Sequence, residues 1–167
     1  MHTFQPYPAE LLELNPFQKI GKDWMLITAG TKEKANTMTA SWGGLGIMWG
    51  KEVAYIFVRN SRYTKEFLDA NDSFSLTFFE GQHPALKYLG SVSGRDENKI
   101  AGARFTVNYS GETPFIDEGN LVFICRKLSA TLMTPDQFTD PKLTDTFYKD
   151  SDFHTMYIGE ITQILAR

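Results

Sequence analysis

The chain has 167 residues, enough for one domain with a sizeable core. A formal net charge of -3 leaves no basic excess to neutralise a phosphate backbone, which argues against nucleic acid as a partner. Hydrophobic content of 42% excludes a disordered chain, and with no membrane-length apolar run and no cationic leader the expectation is a cytoplasmic protein without a membrane partner.

Residues 1–16 carry Pro6, Pro8 and Pro16 and read as an irregular arm with a helical turn at 9–14. Residues 17–20 and 24–29 read as strand material around a Gly-Lys-Asp turn, and 31–34 as a charged turn. The stretch Asn36-Thr37-Met38-Thr39-Ala40-Ser41-Trp42-Gly43-Gly44 follows as a strand. Thr39 and Ser41 stand at i and i+2, so extended backbone puts both hydroxyls on one face. This stretch reads either as a strand edge for a flat polar ligand or as a polar hairpin corner. Residues 53–58 are apolar on both faces, the pattern of a central, doubly covered strand. Tyr63, Phe67 and Ala70 recur at i, i+4 and i+7 and mark a short helix over 64–70, with Ser61 or Thr64 as its cap.

Strict alternation at 73–78 predicts a half-buried strand. Residues 84–89 and 96–103 read as helices, the second capped by Asp96, and 121–133 as a strand with a bend. The single cysteine, Cys125, excludes an internal disulfide and reads as a buried, inert thiol. Residues 134–152 read as a loop region with a helical turn, and 155–161 as a last strand. Roughly seven strands and three short helices without regular alternation disfavour a doubly wound parallel sheet; a closed antiparallel barrel with peripheral helices fits.

Three constellations carry candidate chemistry. In Arg59-Asn60-Ser61-Arg62-Tyr63-Thr64, two arginines flank a serine where an apolar strand turns into a helix. Backbone N–H groups at a helix start and guanidinium forks together make an anion site; two solvated arginines on a turn are the plainer alternative. In Ser91-Val92-Ser93-Gly94-Arg95-Asp96-Glu97-Asn98-Lys99, Gly94 lets backbone approach a ligand beside Arg95 and Lys99, although a capped helix entry accounts for the same residues and is favoured. His154 precedes the last strand, and Asp152, two residues earlier, is spaced to share its face; a bare histidine there is more often a surface or hydrogen-bonded residue. No zinc spacing, P-loop, G-x-G-x-x-G or G-x-S-x-G is present, so no metal site is expected. Trp24 reads as core, and Trp42, Met48 and Trp49 as ligand cover or subunit contact.

Taken in order, Asn36 to Trp42, Arg59 to Thr64, Ser91 to Asp96 with Lys99, and His154-Thr155-Met156-Tyr157-Ile158-Gly159-Glu160-Ile161 resemble the flavin reductase-like, FMN-binding split-barrel family, and within it the flavoredoxin-like branch. The resemblance covers nearly the whole chain. It implies one domain over 1–167, a mainly β, six-stranded antiparallel split barrel with short peripheral helices, assembled as a homodimer with FMN near the interface. It implies that Asn36, Thr37, Met38, Thr39, Ala40, Ser41 and Trp42 follow the flavin ring and ribityl chain. Arg59, Ser61, Arg62, Tyr63 and Thr64 would surround the phosphate, with Ser93, Gly94, Arg95 and Lys99 beside flavin or phosphate. His154 would orient the nicotinamide of NADH or NADPH. The implied activity is hydride transfer from NAD(P)H to flavin, and onward to a small-molecule or protein acceptor that the sequence does not name. Two alternatives stand beside it: a flavoredoxin-type FMN electron carrier reduced by a protein partner, and a non-redox split barrel that holds flavin or haem. The chain departs from short-chain reductases at Gly43-Gly44-Leu45-Gly46-Ile47-Met48-Trp49-Gly50, where those have a serine- and proline-containing turn. The substrate side of the pocket is therefore not carried over.

Overall fold

The computed structural model describes residues 1–167. Its elements, in order, are β1 (Gln5–Pro6), α1 (Pro16–Lys19), β2 (Met25–Gly30), β3 (Ala35–Ala40), β4 (Gly43–Met48), β5 (Lys51–Arg59), α2 (Tyr63–Ala70) and β6 (Ser73–Phe78). There follow α3 (Ala85–Ser91), α4 (Lys99–Gly102), β7 (Val107–Ser110), β8 (Thr113–Ile116), β9 (Leu121–Leu132), α5 (Pro141–Phe147) and β10 (His154–Ala166). One antiparallel sheet runs β3-β2-β6-β9-β10-β5-β4, with β1 added on β10, and β7 and β8 form a separate hairpin. The 12 residues of β9 and 13 of β10 are its axis. Register shifts at Ile158/Gly159 and Ile161/Gln163 break the β9–β10 ladder, and such bulges bend a strand and sharpen its twist. The two end strands, β3 and β4, are joined only by Ser41 and Trp42 yet do not pair with each other. The architecture is an antiparallel barrel split along that seam.

Two layers of apolar side chains bury β2 completely. Met25, Ile27 and Ala29 face inward onto Met38, Ile56, Phe74, Phe78, Phe123 and Tyr157. Leu26 faces the other way, onto Leu86, Leu89, Phe79, Phe105, Ile100 and Ile116 under the helices and the hairpin. Each such side chain, fully buried, contributes about 1.5–3 kcal/mol. Cys125 is buried, and burial pushes its thiol well above the ordinary range, as an inert core cysteine requires. No helix is long and apolar enough to cross a membrane.

Several local expectations are corrected. Residues 17–20 are helical, because Asn15 accepts from the N–H groups of Phe17 and Gln18 and Pro16 occupies the first turn. β5 is next to the open edge, not central, and Tyr55 and Phe57 are only half-buried. β6 is buried on both faces: Ser75 Oγ donates to Pro114 O at 2.7 Å, and Ile116 N–H donates to Thr77 Oγ1 at 3.3 Å. The β7–β8 hairpin that supplies those partners was not anticipated. Neither Ser61 nor Thr64 caps α2, whose N-cap position is Arg62 and which has no side-chain cap. The helix expected over 96–103 shortens to α4, capped by Asn98 and not by Asp96. β10 runs on to Ala166, and the strands outnumber both the seven read from periodicity and the six implied by resemblance.

Candidate functional site

The register of β5 and β10 sets Arg59 opposite His154, so the end of one strand and the start of the other lie side by side next to the seam. From Arg59 the chain turns tightly, Arg62 N–H donating to Arg59 O at 3.0 Å, and enters α2. Across the seam stands β3. As an edge strand it pairs only with β2, so every second backbone N–H and carbonyl along it points away from any strand partner.

Two adjoining cavities occupy this corner. One of about 300 Å³ is bounded by β3, the 61–64 turn and the 91–94 segment, with Lys99 beneath. The other, about 180 Å³, is bounded by Met38 to Trp42, Phe57 and His154. Met38, Arg59 and Arg62 border both, so the two form one groove.

The first end is cationic. Arg59 donates to Asp152 O at 2.8 Å and Phe147 O at 2.9 Å, and Arg62 Nη1 to Gly90 O at 2.9 Å. Lys99 Nζ donates to Leu89 O at 2.9 Å and Val92 O at 3.0 Å. All these acceptors are neutral carbonyls, and none of the three cations has a carboxylate within ion-pair distance. Burial first, then the Arg62 charge, pushes Lys99 down to about 8. Burial first, then Arg59, lowers Arg62. Each retains N–H groups beyond those bonds, and their field selects an anion.

The other end is aromatic. The Trp42 ring lies 5.1 Å from the His154 ring, and Phe147 meets Trp42 edge-on at 5.3 Å. His154 Nδ1 lies 2.7 Å from the Tyr148 hydroxyl. Burial, then Arg59, pushes His154 down to about 4, so the imidazole is uncharged near neutrality. Asp152 makes no hydrogen bond to His154; its carboxylate accepts from the Ser61 N–H and hydroxyl.

The expected residues divide accordingly. Asn36, Met38, Thr39, Ala40, Ser41, Trp42, Arg59, Ser61, Arg62, Tyr63, Thr64, Ser93, Gly94, Lys99 and His154 border the groove. Thr37 does not: its hydroxyl donates to Ile27 O at 3.1 Å and meets Thr28 Oγ1 at 2.9 Å inside the protein. Arg95 does not either; it stacks on the outer face of Tyr63, 4.9 Å from the ring centre, and pairs with Glu66. The Thr39 hydroxyl is not offered to a ligand but ties β3 to α3 through Leu86 O at 2.5 Å. Thr64 Oγ1 accepts from Asn36 Nδ2 at 2.8 Å, bracing the wall between β3 and α2. A Cβ on Gly94 would stand 3.0 Å from Asn36 Cγ and Tyr63 Cδ1, so only glycine lets this wall close. Ser91 and Val92, part of the expected 91–99 constellation but given no role of their own, also border the groove, as does Phe57, which was not expected. Phe57 was hidden in a run read as covered on both faces, and Tyr148 and Phe147 lay in a stretch with no periodic signal. A larger cavity of about 540 Å³ lies beyond the Gly94 wall; of its lysines, Lys32 is engaged by Glu112 and Lys34 by the Tyr63 hydroxyl, and Lys99 is shared with the groove. No group of three His, Cys, Asp or Glu side chains is gathered to hold a metal.

The sequence matches the flavin reductase like domain family over residues 17–167. The fold is similar to flavoredoxin from Methanosarcina acetivorans, with 26% identity and a TM-score of 0.67 over 95% of this chain and 76% of that one. It is also similar to an FMN-binding protein from Thermus thermophilus, with 18% identity and a TM-score of 0.65 over 98% of this chain and 82% of that one. The styrene monooxygenase flavin reductase of Pseudomonas putida S12 shares 14% identity at a TM-score of 0.62 over 87% of this chain and 79% of that one. No curated protein matches the sequence.

Proposed function

The chain belongs to the flavin reductase-like domain family, and from that premise we propose that residues 1–167 form one FMN-binding domain that moves a hydride from NADH or NADPH to flavin. The observation that carries the reading is the convergence of Arg59, Arg62 and Lys99, unpaired by any carboxylate, at one end of a groove whose other end is aromatic. FMN has the matching polarity, a phosphate dianion at one end and a flat ring at the other. It supplies the hydride-accepting ring when bound. Arg59, Arg62 and Lys99 hold the phosphate, each charge-assisted hydrogen bond being worth about 1.5–3 kcal/mol. The outward N–H groups of β3 and the Ser41 hydroxyl, which has no protein partner, serve the polar edge of the ring. Trp42 and Phe57 exclude water from its end. Hydride transfer needs no side-chain acid or base, so His154, uncharged, orients a nicotinamide and moves no proton. Exposed Trp42, Ile47, Met48 and Trp49 along edge strand β4 offer the apolar face on which a second copy packs in a homodimer.

A purified protein that stays colourless after incubation with FMN defeats this reading outright. Stopped-flow mixing of the FMN-loaded protein with NADH and with NADPH then tests the donor. The likeness to flavoredoxins from two organisms supports a second reading, an FMN electron carrier reduced by a protein partner. Flavin that is bound but bleached by neither nucleotide replaces the reductase by that carrier.

A further inference from the structure

His154 does not stand alone in its pocket. Tyr148, just past the last turn of α5, places its hydroxyl 2.7 Å from His154 Nδ1. The other partner of that hydroxyl is the Met133 sulfur at 4.0 Å, a weak acceptor. The phenol proton therefore goes to Nδ1, because an imidazole nitrogen outcompetes a thioether. The Tyr148 ring is itself fixed from several sides. It stacks on Phe153 at 4.8 Å, meets Phe138 at 5.4 Å, and carries the Arg59 guanidinium 5.2 Å from its centre. An uncharged imidazole that accepts at Nδ1 carries its proton on Nε2. Nε2 has no protein partner, yet the one sealed polar side-chain atom without a partner is Asn120 Oδ1. Nε2 is thus not sealed in, and the open space His154 borders is the aromatic end of the groove. The charged groups that face the ring are Arg59 from β5, Arg62 from the turn before α2 and Asp152 ahead of β10. Burial first, and then the two cations, oppose protonation and keep the donor neutral.

We propose that Tyr148 is a positioning residue for His154: it fixes the Nε2–H tautomer and aims an uncharged N–H donor into the aromatic end of the groove, to meet a carbonyl oxygen of the ligand. Only the identity of that carbonyl, the carboxamide of a nicotinamide, rests on the flavin reading; the tautomer does not.

The chain has three histidines, few enough to resolve in long-range ¹H–¹⁵N spectra of the full chain without ligand. The expected result is one imidazole with a protonated Nε2 and a bare Nδ1 from about pH 5 to 8, identified by its loss in His154→Phe. In Tyr148→Phe, which keeps the ring and its stacking, that imidazole moves to averaged nitrogen frequencies. A protonated Nδ1 in the parent protein overturns the proposal, and so does an unchanged spectrum in Tyr148→Phe. If Tyr148→Phe does not fold, the parent spectrum decides alone. With FMN bound, Tyr148→Phe raises KM for the nicotinamide nucleotide about tenfold, as loss of one oriented hydrogen bond implies, while FMN affinity stays within about twofold. An unchanged KM overturns the assignment of the ligand contact. A chain that takes up no FMN defeats the flavin reading, and the tautomer is then judged by the ligand-free spectrum.

Discussion

Replacing Arg62 with alanine strikes the cationic end of the groove most directly. Arg62 borders both cavities and gives one hydrogen bond to protein, to Gly90 O at 2.9 Å, so most of its donors remain for a ligand. It sits among like charges: Arg59 depresses it, and it in turn helps depress Lys99. A dianionic phosphate relieves that repulsion. Removing one charged donor from it should cost about 1.5–3 kcal/mol. That is about 10- to 150-fold in Kd. Riboflavin has the same ring and no phosphate, so its affinity should change by no more than about threefold. Quenching of flavin fluorescence, titrated with FMN and with riboflavin against both proteins, reads the difference. Loss of the Gly90 bond alone costs about 1 kcal/mol, so the variant should remain folded, and a thermal scan checks this. Equal losses for the two flavins, or no loss for either, refute the phosphate assignment and the reasoning behind it.

Other consequences are accessible to simple measurements. Lys99 titrates at about 8 in the folded protein against an ordinary 10.5, so between those values the unfolded chain holds the proton that the folded one has released. Stability should therefore rise with pH across that window while FMN affinity falls; urea titrations and binding curves that keep both slopes in Lys99→Met sink the idea. His154, pushed from 6.5 down to about 4, takes up its proton more readily when the chain unfolds. Stability should fall as pH drops from about 6.5 towards 4, and denaturant midpoints of His154→Phe should lose part of that slope; an identical slope speaks against a buried neutral imidazole. Gly94→Ala drives a methyl against Asn36 and Tyr63 and should cost about 1–3 kcal/mol, seen as a lower Tm by circular dichroism. An unchanged Tm would show that the wall yields freely.

Much of the site was legible as segments and little of it as geometry. The arginine turn at 59–62 showed itself because two guanidiniums at a strand-to-helix junction are conspicuous in an acidic chain. Lys99 showed only as a charge near a glycine; that it lies buried, its ammonium on two carbonyls of the α3 end, depends on how α3 and α4 pack. Thr37, Thr39 and Ser61 are alike in sequence as small hydroxyl residues. Their hydroxyls meet, respectively, Ile27 O and Thr28, the Leu86 carbonyl and the Asp152 carboxylate. None of these partners is a neighbour that periodicity could have named. The strand over 73–78 misled for the same reason: its alternation was real, but a hairpin forty residues on supplies partners for Ser75 and Thr77 and buries the polar face.

The sequence by itself determined that the chain is a globular, strand-rich protein, that β5, β6 and α2 lie close to their observed places, and that cations cluster after residue 58. These are properties of near neighbours, set by the period of apolar side chains and by local charge. Tertiary structure alone decided that β3 and β4 leave an open seam and that Arg59 stands opposite His154. It also decided that Tyr148 holds that histidine and that Arg95 faces outward. Those outcomes follow from which polar atoms find partners across the barrel, because a donor already bonded to a distant carbonyl is no longer free for a ligand.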